Sequence, residues 1–162
     1  MRPFVLDTSA ILSGNLDIAD GGEFVVTEMV ASEVRNRVDR LRAQLLLEGA
    51  LYRPSERTVG IVREAAERTG DIGEVSEADI SVVAAAIETG GGEVLTDDYA
   101  IQNLCREVGV PFSGVSIGPI THSIRWAYMC TGCGRIYRRP VEACDVCGHA
   151  LRRVSRSRKR IR

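Results

Sequence analysis

The sequence predicts an α/β fold, a parallel sheet flanked by helices, with a small cysteine-rich module at the C-terminal end. Three observations carry that expectation. Short apolar runs such as Phe4-Val5-Leu6 do not alternate, as strands buried on both faces do not. Longer segments of helical period separate them, the arrangement that builds parallel sheets. Four cysteines, in two Cys-x-x-Cys pairs, follow the last of these segments.

The elements follow in order. Phe4-Val5-Leu6 reads as a buried strand with Asp7 at its carboxyl end, and residues 10–16 as a short apolar helix. Residues 23–26 read as a second strand. Thr27 then caps a long helix to about Glu48, with Val30, Val34, Val38, Leu41 and Leu45 on one stripe and Glu33 at its edge. Residues 51–53 form a brief strand. Ser55 opens a helix to about Thr69, with Val59, Val62 and Ala66 inward, and residues 70–75 are loop. Ser76 opens a helix over 77–89 with Ile80, Val83, Ala84 and Ile87 on one face and Asp79 in its third position. Three glycines stop it. Residues 93–95 are a strand, Thr96-Asp97-Asp98 leads into a helix to about Val108, and residues 110–113 are the last strand of the body. A glycine- and hydroxyl-rich connection precedes an aromatic strand at 124–129, and no internal repeat is present.

Length and composition bound the function. The 162 residues, 44% of them hydrophobic, suffice for one ordinary domain plus an appendage without help from disulfides. No apolar run reaches the roughly 18 residues of a membrane span, and the N-terminus lacks a signal-peptide layout. The expectation is a cytoplasmic protein with reduced cysteines and no membrane partner. Charge divides unevenly along the chain. Residues 1–124 carry 10 Arg against 20 acids, whereas residues 125–162 carry 11 basic residues against 2 acids. An acidic body with a basic end implies two functional parts, the second drawn to a polyanion. Residues 152–162 hold seven basic residues and no acid, as a flexible basic tail would.

Asp7, Glu33, Asp79 and the pair Asp97/Asp98 each sit at a strand end or in the first turns of a helix beside one. In a right-handed βαβ arrangement those places converge on one rim of the sheet, where ligands bind. Each acid has a plainer job as a helix cap: Asp7 near Ser9, Asp79 in a capping box with Ser76, Asp98 ahead of its helix. Close carboxylates repel by about 4 kcal/mol at 4 Å and an effective dielectric near 20. A cluster of four therefore calls for a cation, and hard oxygen ligands select Mg²⁺ or Mn²⁺. The chemistry implied is phosphodiester hydrolysis by a metal-activated water.

Val5-Leu6-Asp7-Thr8-Ser9, Glu33 in the long helix, Asp79 in Ser-Glu-Ala-Asp-Ile and Val94-Leu95-Thr96-Asp97-Asp98 resemble, in order and spacing, the signature of PIN-domain nucleases. The resemblance spans about residues 1–115 and implies a PIN-like, Rossmann-like sheet. It makes Asp7, Glu33 and Asp79 metal-site acids, with Ser9 or Thr8 and Thr96 in support. Either Asp98 or Asp97 is the fourth acid, with Asp98 favoured by the usual Thr-x-Asp pattern.

Cys130-x-x-Cys133 and Cys144-x-x-Cys147, each followed by glycine, have the spacing of one structural four-thiolate Zn²⁺ site. Gly134 and Gly148 let the chain curl around the sulfurs. A redox pair fits poorly, since one Cys-x-x-Cys in a βαβ setting would serve that purpose. Such a metal contributes on the order of 10 kcal/mol to a module too small for its own core. Cys105 reads as a packed core residue.

A PIN domain followed by a zinc ribbon is similar to the archaeal Nin-one-binding (NOB) endoribonuclease family. Thr96 to Asn103, and Ile124-Arg125-Trp126-Ala127-Tyr128 ahead of the first cysteine, add to the likeness. The resemblance implies cleavage of precursor small-subunit rRNA at its mature 3′ end, leaving a 3′-hydroxyl and a 5′-phosphate. The partners it implies are the pre-small ribosomal subunit and, as a further candidate, an assembly factor. The expected organisation is a nuclease domain over 1–115, a linker over 116–124, a zinc ribbon over 125–151 and a basic tail over 152–162. Arg135, Tyr137, Arg138, Arg139, Arg152, Arg153, Arg156, Arg158, Lys159 and Arg160 are the candidate RNA contacts. Rival readings are a VapC-type PIN toxin, a non-catalytic zinc-ribbon assembly factor, and a metal-dependent phosphatase or DNA nuclease.

Overall fold

The computed structural model describes residues 2–13, 23–37 and 51–160. The body is built on a four-stranded parallel sheet of β1 (Phe4–Leu6), β2 (Phe24–Val25), β3 (Glu93–Leu95) and β4 (Phe112–Ser113), in the order β2-β1-β3-β4. The chain thus leaves β1 to one side for β2 and returns on the other side for β3. That reversal opens a crevice at the carboxyl ends of β1 and β3, where α/β sheets bind ligands. Among the described residues, five helices accompany the sheet: α1 (Thr8–Ser13), α2 (Glu28–Arg37), α3 (Glu56–Thr69), α4 (Glu77–Glu88) and α5 (Tyr99–Val108).

Helix starts follow the sequence closely. The Thr27 hydroxyl accepts from the Val30 N–H, Ser55 from Thr58 and Ser76 from Asp79. The four-step stripe of α2 is buried at Val30 and Val34; its continuation through Val38, Leu41 and Leu45 lies outside the described residues, as does Leu16 of the first helix. Residues 51–53 make only one bridge, Tyr52 beside Thr27, in place of a strand. α4 differs from the expected one-sided helix. Ser81, Val82, Ala85 and Ala86 are buried along with Ile80, Val83 and Ala84, because α4 packs on α2, α3, α5 and the sheet at once. Small residues on its remaining faces permit that approach.

The C-terminal part is a three-stranded antiparallel sheet, β6-β5-β7, of β5 (His122–Cys130), β6 (Ile136–Tyr137) and β7 (Leu151–Arg160). This corrects two expectations. The segment read as a flexible tail is a long strand, paired with β5 from Leu151 to Arg160 apart from a bulge at Arg156. β5 also begins at His122, inside the expected linker. A run of arginines hides the strand pattern, since the long side chains leave their charges in water while their stems lie on the sheet. The sheet is seated on the body. Gly70, with φ of 78°, ends α3, and a Cβ there would lie 2.3 Å from the Trp126 carbonyl oxygen.

Candidate functional site

Asp7 leaves β1 at the crevice and is only 2% exposed. Its carboxylate accepts from the Ala10 N–H at 2.6 Å, from the Ser9 hydroxyl at 3.0 and 2.9 Å, and from the Thr96 hydroxyl at 2.5 Å. Burial pushes its pKa above the usual 3.8; the bonds from Thr96, Ala10 and Ser9 pull it back, and the charge of Asp98 pushes it up again. Thr96 is the hinge pin between strands: its hydroxyl donates to Asp7 and accepts from the Asp98 N–H at 3.0 Å. From the other side Thr8 donates to Glu33 at 2.7 Å, fixing the α2 acid beside the same loop.

Asp79 closes the capping box of α4, accepting from the Ser76 N–H at 2.7 Å while Ser76 accepts in return. Burial raises its pKa, the Ser76 bonds oppose the rise, and the charges of Asp98 and Glu33 add to it. The charges of Glu33 and Asp98 are therefore both felt at Asp79, and that of Asp98 at Asp7 as well. The capping jobs are real for Asp7, Asp79 and Asp98. These bonds pin each of the three carboxylates at a helix start.

The two adjacent acids part company. Asp97 turns to the 115–117 backbone, accepting from the N–H groups of Val115 at 2.8 Å, Ser116 at 3.0 Å and Ile117 at 3.2 Å. Those bonds, Ser116 first, hold its pKa below 3.8. Asp98 caps α5 through the Ala100 N–H at 2.7 Å and is exposed. Asp98 is the member of the pair whose charge reaches Asp7 and Asp79.

The acids are set wider than a tight cage. Among the described residues, the four cysteines form the one set of three or more candidate ligands with all donor atoms within 4.8 Å. Mg²⁺ retains several waters and takes one or two carboxylates directly, so an all-oxygen rim of spaced acids suits it better than a closed shell would. A shallow groove at Glu33, lined also by Met29, Ser32 and Ser76, continues the rim along α2 and α4.

The thiols are already in a metal-ready arrangement. Cys130 and Cys147 Sγ atoms lie 3.3 Å apart, and those of Cys133 and Cys144 3.6 Å. Disulfide sulfurs would be about 2 Å apart, whereas thiolates around tetrahedral zinc with bonds of about 2.3 Å sit about 3.8 Å apart. The two knuckles repeat one device: Gly134 N–H donates to the Cys130 carbonyl and Gly148 N–H to the Cys144 carbonyl, with φ of 75° and 73°. The cluster fits a zinc ribbon. Cys105, by contrast, is buried in the core, where desolvation raises its pKa.

The proposed RNA contacts divide. Arg138, Arg152, Arg156, Arg158, Lys159 and Arg160 are exposed. Arg135 is exposed but pairs with Asp145 and lies over the Tyr137 ring, and Arg139 pairs with Glu67 on α3. For Tyr137, a strand residue that could stack on a base or pack in the ribbon, the hydroxyl is engaged with Asp145 and Cys144, which ties it to the cysteine hairpin. One expectation is corrected. Arg153 points into the molecule, with its guanidinium 2.5 Å from Asp71 and 4.2 Å above the Trp126 ring. Asp71, 1% exposed, also accepts from Asn103, whose side chain clasps the Ile124 backbone. Desolvation raises the pKa of Asp71, against Asn103, Thr69 and Arg153. Sequence reasoning missed this staple between body and ribbon, because Asp71 sits in a loop with no motif and its partner lies on a strand far along the chain.

Comparison with known proteins follows the same division. A family model described as the PIN domain of ribonuclease matches residues 4–89. Endoribonuclease Nob1 of Pyrococcus abyssi is 36% identical over 160 residues, covering 96% of this chain and 95% of that protein. Ribonuclease VapC1 of Thermoplasma acidophilum is 34% identical over 160 residues, covering 96% of this chain and 80% of its own. The crystal structure of PAE2754 from Pyrobaculum aerophilum superposes with a TM-score of 0.50 at 15% identity, over 70% of this chain and 91% of that one, a likeness of fold alone.

Proposed function

The chain belongs to the PIN-domain ribonucleases, beside the archaeal Nob1 endoribonucleases that it matches over most of its length, and from that premise we propose that it is a divalent-metal-dependent endoribonuclease that trims precursor small-subunit rRNA at the mature 3′ end. What supports the proposal is that the Thr96 hydroxyl joins Asp7 to the Asp98 backbone, Thr8 of the same loop holds Glu33, and the charges of Glu33 and Asp98 are felt at Asp79. In this reading these four acids hold Mg²⁺ or Mn²⁺. When bound, such an ion lowers the pKa of water and neutralises charge building on the phosphate, giving a 3′-hydroxyl and a 5′-phosphate. Ser9 and Thr96 fix the Asp7 carboxylate so that it needs no reorientation to meet a cation. Thr8 does the same for Glu33. Asp97 serves as an anchor for the 115–117 loop.

The cysteine cluster binds a structural Zn²⁺, whose closed four-thiolate shell leaves no place for substrate. The ribbon supplies the affinity that an acidic body lacks, through the exposed basic residues Arg138, Arg152, Arg156, Lys159 and Arg160. Arg135 and Arg139 add to it where RNA displaces their acidic partners. Substrate arrives within the pre-small ribosomal subunit in the cytoplasm.

A second reading has a specific observation behind it: a relative called Ribonuclease VapC1 aligns over 160 residues. The two differ in substrate. The test incubates the protein with Mn²⁺ or Mg²⁺ and single-stranded RNA spanning the mature 3′ end, beside a scrambled RNA of equal length. One cut at the mature end in the first RNA, lost in Asp7→Asn, is the expected result. Equal cutting of both RNAs supports the toxin reading, and no cutting by the wild-type protein on its pre-small subunit contradicts nuclease function.

A further inference from the structure

Between the body and the ribbon lies a cleft of about 380 Å³ that the reading above leaves without a role. Its walls include Tyr99 at the start of α5, Ile120 of the connection, His122 and Trp126 of β5, and Arg153 and Arg158 of β7. The cleft adjoins the acid rim, because Tyr99 directly follows Asp98.

Its lining is unusual for a structural seam. Tyr99 is 57% exposed, an aromatic ring in the first turn of a helix with no core to fill. Trp126, also in the lining, is half-buried and carries the Arg153 guanidinium over its ring, held there by Asp71. The charge of Arg153 is spent on Asp71. That of Arg158 is not: it is exposed, contacts only the His122 ring at 3.3 Å, and meets no acid among the described residues. The cleft thus joins two π surfaces to one uncompensated cation. Its volume is near the lower end of the roughly 300–1,000 Å³ of ligand pockets, room for one nucleotide unit and too little for the end of a duplex.

Flat aromatic faces beside a guanidinium are how proteins hold splayed-out bases of single-stranded RNA. We propose that this cleft seats one unpaired ribonucleotide adjoining the scissile phosphate, its base against Tyr99 and Trp126 and its phosphate on Arg158. The inference rests on the nuclease reading for the word scissile, and on the cleft alone for binding. It gives the ribbon a task besides affinity: one wall of the substrate channel belongs to it.

Trp126 is the single tryptophan of the chain, so its fluorescence reports this cleft and nothing else. The experiment titrates the full zinc-loaded protein, with no Mg²⁺ or Mn²⁺ and no chelator added, with a short unpaired oligoribonucleotide, and separately with the same strand in a duplex. Saturable quenching by the single strand and not by the duplex is expected. Tyr99→Ala and Arg158→Ala are each expected to weaken it about tenfold, the size of a lost stacking or charged contact. Quenching that is absent, equal for duplex, or unchanged in both variants overturns the proposal. Cleavage is scored separately with Mn²⁺. RNA cut by a protein whose Trp126 ignores the strand sinks the cleft and spares the nuclease. A cleft that binds the strand in a protein that never cuts it does the reverse.

Discussion

The acid rim and the cysteine cluster are both places where ligand side chains from distant parts of the chain meet, yet they are held in opposite ways. The thiols come from two knuckles of identical design, within 4.8 Å of one another, and are steadied by local contacts within the ribbon, Tyr137 on Cys144 among them. The carboxylates come from four separate elements, stand farther apart, and are each tied down by hydroxyls and helix-end amides before any ion arrives. The first arrangement crowds four thiols together, which only a bound metal makes favourable. The second is a site that the fold assembles for the metal. Stability should therefore depend on the ion at the ribbon, and chemistry on the ion at the rim.

Stripping zinc with a chelator tests the first half and has the largest expected effect. The ribbon is expected to lose on the order of 10 kcal/mol of folding free energy. Amide exchange through residues 130–150 should become fast, while α4 at the centre of the body stays protected. Protection unchanged at the knuckles would mean that the hairpin folds without metal.

Next in size is Arg153→Ala. Removing one partner of a buried ion pair leaves an uncompensated charge, here about 3 kcal/mol, toward the low end because the guanidinium is a quarter exposed. The sign with pH is fixed. The Asp71 pKa is already raised in the folded state and rises further without Arg153, so the folded protein holds its proton to higher pH than the unfolded chain. The deficit is then smallest below 3.8 and grows as pH rises through the folded-state value. Denaturant melts at acid and neutral pH measure it; a deficit that widens toward low pH contradicts the assignment.

The smallest of the three contrasts separates neighbours on the rim. Asp98→Asn is expected to lower cleavage by about a hundredfold, or more, with the fold intact, the cost of one lost electrostatic partner in a site of this kind. Asp97→Ala should leave cleavage within about tenfold and lower stability by about 1 kcal/mol, through unmet N–H groups at 115–117. Equal losses of activity would mean that both acids serve the reaction.

The two regions also differed in how legible they were. Cys-x-x-Cys-Gly fixes its own local geometry, so the knuckles and the positive φ at Gly134 and Gly148 follow from spacing alone. Asp7, Glu33 and Asp79 became candidates only as an ordered set, because their placement depends on the strand order β2-β1-β3-β4. That Asp97 is held by the 115–117 amides was not legible, since those amides lie in a connection with no motif. Strand β7 and the Arg153–Asp71 staple were hidden for a common reason. Charged residues along 152–160, with a bulge at Arg156, leave no apolar alternation to read, and the partner of Arg153 is contributed by a loop in the body.

The most direct test of the central claim is Mn²⁺ added in substoichiometric amounts while backbone amide signals are watched. A shared cation predicts joint broadening at Asp7, Ser9, Glu33, Asp79 and Asp98, with the ribbon beyond Cys130 unaffected. Because the Asp7 and Asp79 carboxyls are raised above 3.8, protons compete there. The broadening should be full at neutral pH and fade as the solution is acidified toward that value. Broadening scattered over surface acids such as Glu56 and Glu142, or confined to one member of the set, would contradict the claim.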